Sequence, residues 1–227
     1  MKSKQFAVIG IGHFGLNVAQ TLKQSGHEVL LIDNDEARVQ AAMEQEAATE
    51  AVCLDATHLH ALEELGLQHF DGVVIAIGEH LQESILTALN LLELGVKQIV
   101  AKASTPAHGK ILQKMNVHRV VYPEQEMGER VARSLVQSHI LDGFELDPCY
   151  SVVEVLAGEA LYGHSLKDLA LRARYGVYVM AIKSPGQELS IIPSPDRYIQ
   201  EKDILLVLGG NRQLERFIEA ASQPKLL

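Results

Sequence analysis

The stretch Phe6-Ala7-Val8-Ile9-Gly10-Ile11-Gly12-His13-Phe14-Gly15 is an apolar strand that runs into G-x-G-x-x-G and then into a helical pattern. A second strand, Val29-Leu30-Leu31-Ile32, follows and ends in Asp33. Each part has a physical role. Gly10 permits a tight turn, Gly12 lets the backbone approach a pyrophosphate, and Gly15 lets helix and strand pack closely. The free N–H groups of the helix N-terminus would face the phosphate, where the macrodipole favours negative charge. Asp33 is placed to accept hydrogen bonds from the hydroxyls of an adenosine ribose, with Asn34 beside it. Strand, glycines, helix, second strand and terminal Asp together predict a Rossmann-type nucleotide site.

At 227 residues the chain is long enough for one large domain or two smaller ones. No apolar run approaches the roughly 20 residues of a membrane helix. Met1-Lys2-Ser3-Lys4-Gln5 leads straight into the first strand without a signal-peptide pattern, so a cytoplasmic protein is expected. Cys53 and Cys149 lack metal-ligand or C-x-x-C spacing and are expected as buried thiols. The net charge of −9 is unevenly placed. Residues 151–227 carry nine basic and nine acidic residues, so the other 11 basic and 20 acidic residues all lie in 1–150. Such an acidic first half argues against nucleic acid as a partner, because neutralising its phosphates needs a basic face.

Strands and helices alternate in the first part, the pattern of a doubly wound parallel sheet. Candidate strands are 6–9, 29–32, 51–54, 72–77, 98–102 and 119–122. The run from Leu81 to Leu94 is apolar on most sides and predicts a helix buried in the domain or at an interface. A long helix is expected from Glu124 to about Leu141. Asp142-Gly143 and Asp147-Pro148 then read as breakers that mark a linker. The expected division is 1–142 for the nucleotide domain, 143–150 for the linker and 151–222 for a smaller α+β domain. In the latter, Ser151–Leu156, Val177–Ile182 and Ile204–Leu208 read as strands and Ser165–Leu171 as a short helix. Asn211 is expected to cap a last helix reaching about Ala220.

Other candidates fall at the carboxyl ends of strands, where open α/β sheets bind ligands. Asp55-Ala56-Thr57 either faces an adenine ring or simply caps a helix. Ala76-Ile77-Gly78 either leaves room for a ligand or makes a plain strand-to-helix turn. Lys102 reads as the one cation positioned to reach phosphates, with a solvated surface lysine as the alternative. His13 either donates to a phosphate or is an exposed histidine at the helix start. His58 and His60 do not share a helix face, which argues against a metal site with Cys53. Glu124 is either a first-turn carboxylate that complements the helix dipole or a ligand for a divalent cation beside a nucleotide. No Ser/His/acid triad pattern is visible.

The chain resembles the KTN/RCK-type regulatory subunits of bacterial potassium uptake systems, the KtrA/TrkA family, over nearly its whole length. The residues that carry this are 4–15, Gly26-His27-Glu28-Val29-Leu30, Val74-Ile75-Ala76-Ile77-Gly78 and Tyr122-Pro123-Glu124-Gln125-Glu126-Met127-Gly128. Asp168-Leu169-Ala170-Leu171-Arg172-Ala173-Arg174-Tyr175-Gly176 and Asp203-Ile204-Leu205-Leu206-Val207-Leu208-Gly209 carry it in the smaller domain.

The resemblance implies a non-catalytic gate. Its subunits would assemble as dimers into an octameric ring under a membrane-embedded potassium-translocating subunit of KtrB/TrkH type, on the inner face of the membrane. It implies ATP or ADP, and in some members NAD(H), bound by the glycine loop with Phe14, by Asp33 and Asn34, by Asp55 and by Lys102. It implies Mg²⁺ or another divalent cation at Glu124. In the smaller domain it implies cyclic di-AMP at the segment holding Leu171, Arg172, Ala173 and Tyr175. Where ATP-regulated relatives commonly carry Arg, this chain has His13, a shorter side chain that cannot make a bidentate fork. Two further readings stand beside the gate: an NAD-dependent oxidoreductase, and a redox-sensing regulator of an antiporter.

Overall fold

The computed structural model describes residues 2–136 and 140–222, and the chain divides into two compact units, Met1–Glu126 and Met127–Leu227. The first unit begins with β1 (Gln5–Ile9), whose Ala7, Val8 and Ile9 are all buried. Consecutive burial means both faces of the strand are covered, as in the centre of a parallel sheet. There follow α1 (His13–Gln24), β2 (Glu28–Asp33), α2 (Glu36–Glu44), β3 (Glu50–Cys53), α3 (Leu59–Glu64), β4 (Gly72–Ile75) and α4 (Leu81–Glu93). Then come β5 (Ile99–Lys102), α5 (Pro106–Lys114), β6 (Arg119–Val121) and α6 (Pro123–Val136). Local chemistry sets the helix starts: the Asp35 side chain accepts the N–H groups of Ala37 and Arg38, and Thr105 caps α5 with Pro106 at its first position.

The sheet is parallel, in the order β3-β2-β1-β4-β5-β6. The strand order reverses between β1 and β4, which places a topological switch point beside the glycine loop. Two apolar clusters cover its faces, one around Ile9, Ile75 and Leu91, the other around Val8, Ala19 and Leu31. All six expected strands are found, with ends that differ by a residue or two.

The second unit is built on β7 (Ile140–Asp147), β8 (Tyr150–Leu156), α7 (Leu166–Leu169), α8 (Leu171–Tyr175), β9 (Tyr178–Lys183), β10 (Ser190–Ile191), β11 (Ile204–Gly210) and α9 (Asn211–Ala221). Its antiparallel sheet runs β10-β9-β11-β8-β7. Leu214, Phe217, Ile218 and Ala221 make one face of α9 and are all buried, a helical repeat that packs the helix onto the unit's core.

Several expectations need correction. The helix from Glu124 ends by Val136 in the described residues, so Leu141 falls in β7. The stretch 143–150, read as a linker, holds most of β7 and the turn into β8. Gly143 is no breaker there: a Cβ on it would lie 3.0 Å from the Val152 carbonyl oxygen, so its bareness allows close pairing. Asp147 closes the hairpin by accepting the N–H groups of Cys149 and Tyr150 at 2.7 and 2.9 Å. The expected helix Ser165–Leu171 is two short helices, because Ala170 adopts φ +44° between them. Gly210, not Asn211, is the cap of α9; Asn211 instead donates to the Pro148 carbonyl and accepts from the Ser151 hydroxyl. Both cysteines are exposed rather than buried, Cys53 at the end of β3 and Cys149 in the hairpin turn. α4 is not buried all round either: Ser84, Thr87, Ala88, Asn90 and Leu91 face inward, while Leu81, Leu86 and Leu89 are exposed. No described helix is long and apolar enough to cross a membrane.

Candidate functional site

At the carboxyl ends of β1, β2, β3 and β4 lies a cavity of about 620 Å³. The glycine loop forms one wall with three distinct glycine environments. Gly10 has φ +102°, and a Cβ there would sit 3.1 Å from the backbone of Ala76 and Ile77. At Gly15 a Cβ would collide with the Gly10 carbonyl oxygen, so this glycine serves the packing of α1 on the loop. Gly12 faces open space, with nothing within 4 Å of a built Cβ. It is also the N-cap of α1, with no side chain capping it and no acid in the first turn. An uncapped helix end behind an open glycine is a site for an anion.

Asp33, 6% exposed, ends β2 and grips this loop. Its Oδ2 accepts the Ile11 N–H at 2.6 Å and its Oδ1 accepts the Asp35 N–H at 3.0 Å. A carboxylate has about four lone-pair sites, so two remain for a ligand's hydroxyls. The Arg38 guanidinium stands 3.9 Å from Asp33 Oδ2 and also lines the cavity. Lys102 is therefore not the one cation at the site. Sequence reasoning missed Arg38; its place in the first turn of α2, five residues after Asp33, is the only signal it carried.

On the far side, Asp55 Oδ1 accepts both the hydroxyl and the N–H of Thr57, at 2.7 and 2.9 Å. The hydroxyl first, then the N–H, holds the Asp55 carboxyl below its usual range, so it stays anionic. Asp55 thus orders its own loop and also lines the cavity, while His58 is the residue at the N-cap of α3. Asn90 of α4 secures this loop from behind by donating to the carbonyls of Ala56 and Thr57 at 3.4 and 2.9 Å.

Lys102 and Glu124 meet. Lys102 Nζ stands 2.5 Å from Glu124 Oε1, with the lysine side chain 13% exposed and the glutamate 67% exposed. The hydrogen bond from Lys102 is the main cause that lowers the Glu124 carboxyl pKa. Gly78 gives the lysine passage, since a Cβ there would lie 3.0 Å from Nζ. The Ser104 hydroxyl donates to the Gly78 carbonyl, and the Phe14 ring lies 6.0 Å from Nζ.

The structure thus brings Gly10, Gly12, His13, Phe14, Asp33, Asn34, Asp55, Ala56, Thr57, Ala76, Ile77, Gly78, Lys102 and Glu124 onto one cavity. Gly15 lies behind the loop. Sequence reasoning missed Leu54, Glu83 and Thr87 as well as Arg38. In the second unit the segment around Arg172 is less unified. Leu171 is buried in the core and Tyr175 packs edge-on against Phe217, whereas Arg172 and Ala173 are exposed, with the Arg172 guanidinium 5.6 Å from the Tyr178 ring centroid. Among the described residues no three His, Cys, Asp or Glu side chains group as a metal site. His60 instead sits 3.6 and 3.4 Å from Glu63 and Glu64 on the surface.

The TrkA-N domain matches residues 6–123 and the TrkA-C domain residues 151–222. The chain is 42% identical over 214 residues to Ktr system potassium uptake protein C of Bacillus subtilis strain 168, covering 94% of this chain and 96% of that protein. It is 40% identical over 217 residues to Ktr system potassium uptake protein A of the same organism, covering 96% of each. The fold is shared with the GsuK channel bound to NAD, at a TM-score of 0.67 and 16% identity over 98% of this chain and 40% of that one. The two Bacillus subtilis relatives are potassium uptake proteins. The chain belongs to the KtrA/TrkA family of potassium uptake proteins.

Proposed function

We propose that this chain is a cytoplasmic gating subunit that converts adenine-nucleotide state into the opening of a membrane-embedded potassium-translocating partner. The observation that carries the reading is the cavity at the switch point, lined both by an open Gly12 at the uncapped α1 end and by the Lys102–Glu124 pair. The N–H groups of the α1 first turn hold the phosphates and Lys102 neutralises them. Asp33 accepts from the ribose, and the base lies toward Asp55, Ala56 and Ile77.

ATP and ADP act only through a difference in affinity for two conformations, since equal affinity shifts nothing. The terminal phosphate falls at the Lys102–Glu124 end. A carboxylate beside a phosphate suits Mg²⁺, so Glu124 would be the residue of this chain to hold a divalent cation, which would supply charge neutralisation for the phosphates. Glu124 opens α6, and a shift there passes along that helix. The two units act as a nucleotide domain and a regulatory domain, and copies of the chain assemble into a ring on the inner face of the membrane. NAD(H) fits the same loop and is the alternative ligand.

The test is native mass spectrometry and small-angle scattering of the purified protein with ADP and with ATP plus Mg²⁺. A ring whose dimensions differ between the two nucleotides is expected. A monomer, or identical scattering with both, contradicts the proposal.

A further inference from the structure

Arg38, in the first turn of α2, holds its guanidinium between two carboxylates. Its Nη1 lies 3.9 Å from Asp33 Oδ2 and its Nε 3.5 Å from Asp35 Oδ2. The arginine side chain is 58% exposed and the residue lines the cavity, so a ligand can reach it. Asp33 is buried and pinned, because the N–H groups of Ile11 and Asp35 hold its two oxygens at 2.6 and 3.0 Å. The two residues are thus unequal. Asp33 is fixed toward whatever enters, whereas Arg38 is long, exposed and free to change partner.

The consequence falls on the 2′ position of a ribose. A free 2′-hydroxyl donates its proton to the Asp33 carboxylate. A 2′-phosphate has no hydroxyl there to donate, and it sets an anion against a buried carboxylate that is tied in place. Rossmann-type sites that accept a 2′-phosphate hold it with an arginine near the end of the second strand. This chain has such an arginine, within 3.9 Å of the acid that would read the ribose. Two carboxylates share its single charge, so the cluster of Asp33, Asp35 and Arg38 is net negative.

From this arrangement we infer that Arg38 is a specificity-determining residue for the ribose, a 2′-phosphate receptor that Asp33 and Asp35 keep engaged. The site therefore takes nucleotides with a free 2′-hydroxyl and refuses their 2′-phosphorylated counterparts. Removing either carboxylate charge releases the guanidinium and opens the site to the 2′-phosphate. This rests on the nucleotide reading above and adds to it the class of nucleotide admitted.

The experiment is calorimetric titration of the full chain with ADP and with 2′-phospho-ADP, which differ only in that phosphate, beside thermal melts. The variants are Asp33→Asn, Asp35→Asn, each of these combined with Arg38→Met, and Gly12→Asp. Asp33→Asn keeps an oxygen for the Ile11 N–H, and Asp35→Asn keeps an equally good helix cap, so the second variant decides if the first does not fold. Wild type should prefer ADP by at least about tenfold, the worth of one hydrogen bond. Asp33→Asn should narrow that preference by at least about tenfold through tighter 2′-phospho-ADP binding. Asp35→Asn should narrow it about two- to fivefold, the worth of an exposed ion pair. Arg38→Met should cancel both gains. Equal affinity of the wild type for the two ligands overturns the inference, as does an unchanged preference in Asp35→Asn or a gain that survives Arg38→Met. If ADP binding is lost in Gly12→Asp while wild type takes both ligands alike, only this inference falls. If the folded wild type binds neither ligand, the proposed function falls with it.

Discussion

The carboxylate of Asp33 accepts the backbone N–H of Ile11 across a 2.6 Å hydrogen bond, fastening the end of β2 to the turn of the glycine loop. The acid that would read a ribose is thus also a structural part of the loop that would hold the phosphates. Asp33→Ala leaves a buried N–H without a partner and should cost about 1–3 kcal/mol of stability. Chemical denaturation checks this; an unchanged midpoint would mean that the bond contributes nothing.

Gly12 separates fold from site. Its φ of −84° suits any residue and its Cβ direction is empty, so Gly12→Asp should fold normally. As an N-cap, Asp is worth as much as Gly or a few tenths of a kcal/mol more. The same carboxylate would repel phosphate from the helix end. The expected result is an unchanged or slightly raised melting temperature together with lost nucleotide binding. Gly15→Ala should do the opposite and lose stability first, since its Cβ meets the Gly10 carbonyl.

On the proposed function, Glu124 would compete with phosphate for Lys102. Glu124→Gln should therefore tighten nucleotide binding about two- to fivefold without divalent cation, the small worth of an ion pair whose carboxylate is exposed. With Mg²⁺ the order should reverse, because the variant lacks the carboxylate proposed to hold the ion. Titrations with Mg²⁺ and with a chelator distinguish the two. The same affinity ratio between variant and wild type in both conditions would remove Glu124 from the account.

Asp55 gives a pH signature. Its folded pKa lies below the ordinary aspartate value because the Thr57 hydroxyl and N–H stabilise the anion. A group lowered on folding contributes stability above its unfolded pKa and loses it as pH falls through the folded value. Thr57→Ala should raise the Asp55 pKa, read by NMR titration of its carboxyl carbon. It should also be less stable than wild type at neutral pH, with the gap closing as pH falls below the ordinary aspartate range. A gap independent of pH would assign the loss to something other than Asp55.

The strands of the first unit were legible because each is apolar, short and followed by a turn signal, and because the glycine spacing ties β1 to α1. What escaped was structure set by distant partners. Gly143 looks like a breaker until Val152 lies against it, and β10 is only two residues whose pairing depends on β9. The Leu81–Leu94 run gave the right helix but not which face is buried: Ser84, Thr87 and Asn90 turn inward beside Ala88 and Leu91, while Leu81, Leu86 and Leu89 are exposed. Within the site, residues after strand ends were legible from topology alone. Arg38 and Thr87 were not, because an arginine early in a helix and a threonine in its middle carry no local signal of what they face.

The most direct measurement of the central claim is calorimetric titration of the purified full chain with ATP, ADP and NADH, with and without Mg²⁺, beside Gly12→Asp. ATP and ADP should bind with dissociation constants on the order of micromolar, differ in their response to Mg²⁺, and no longer bind to the variant. Binding of NADH alone, or adenine-nucleotide binding that survives Gly12→Asp, would contradict it.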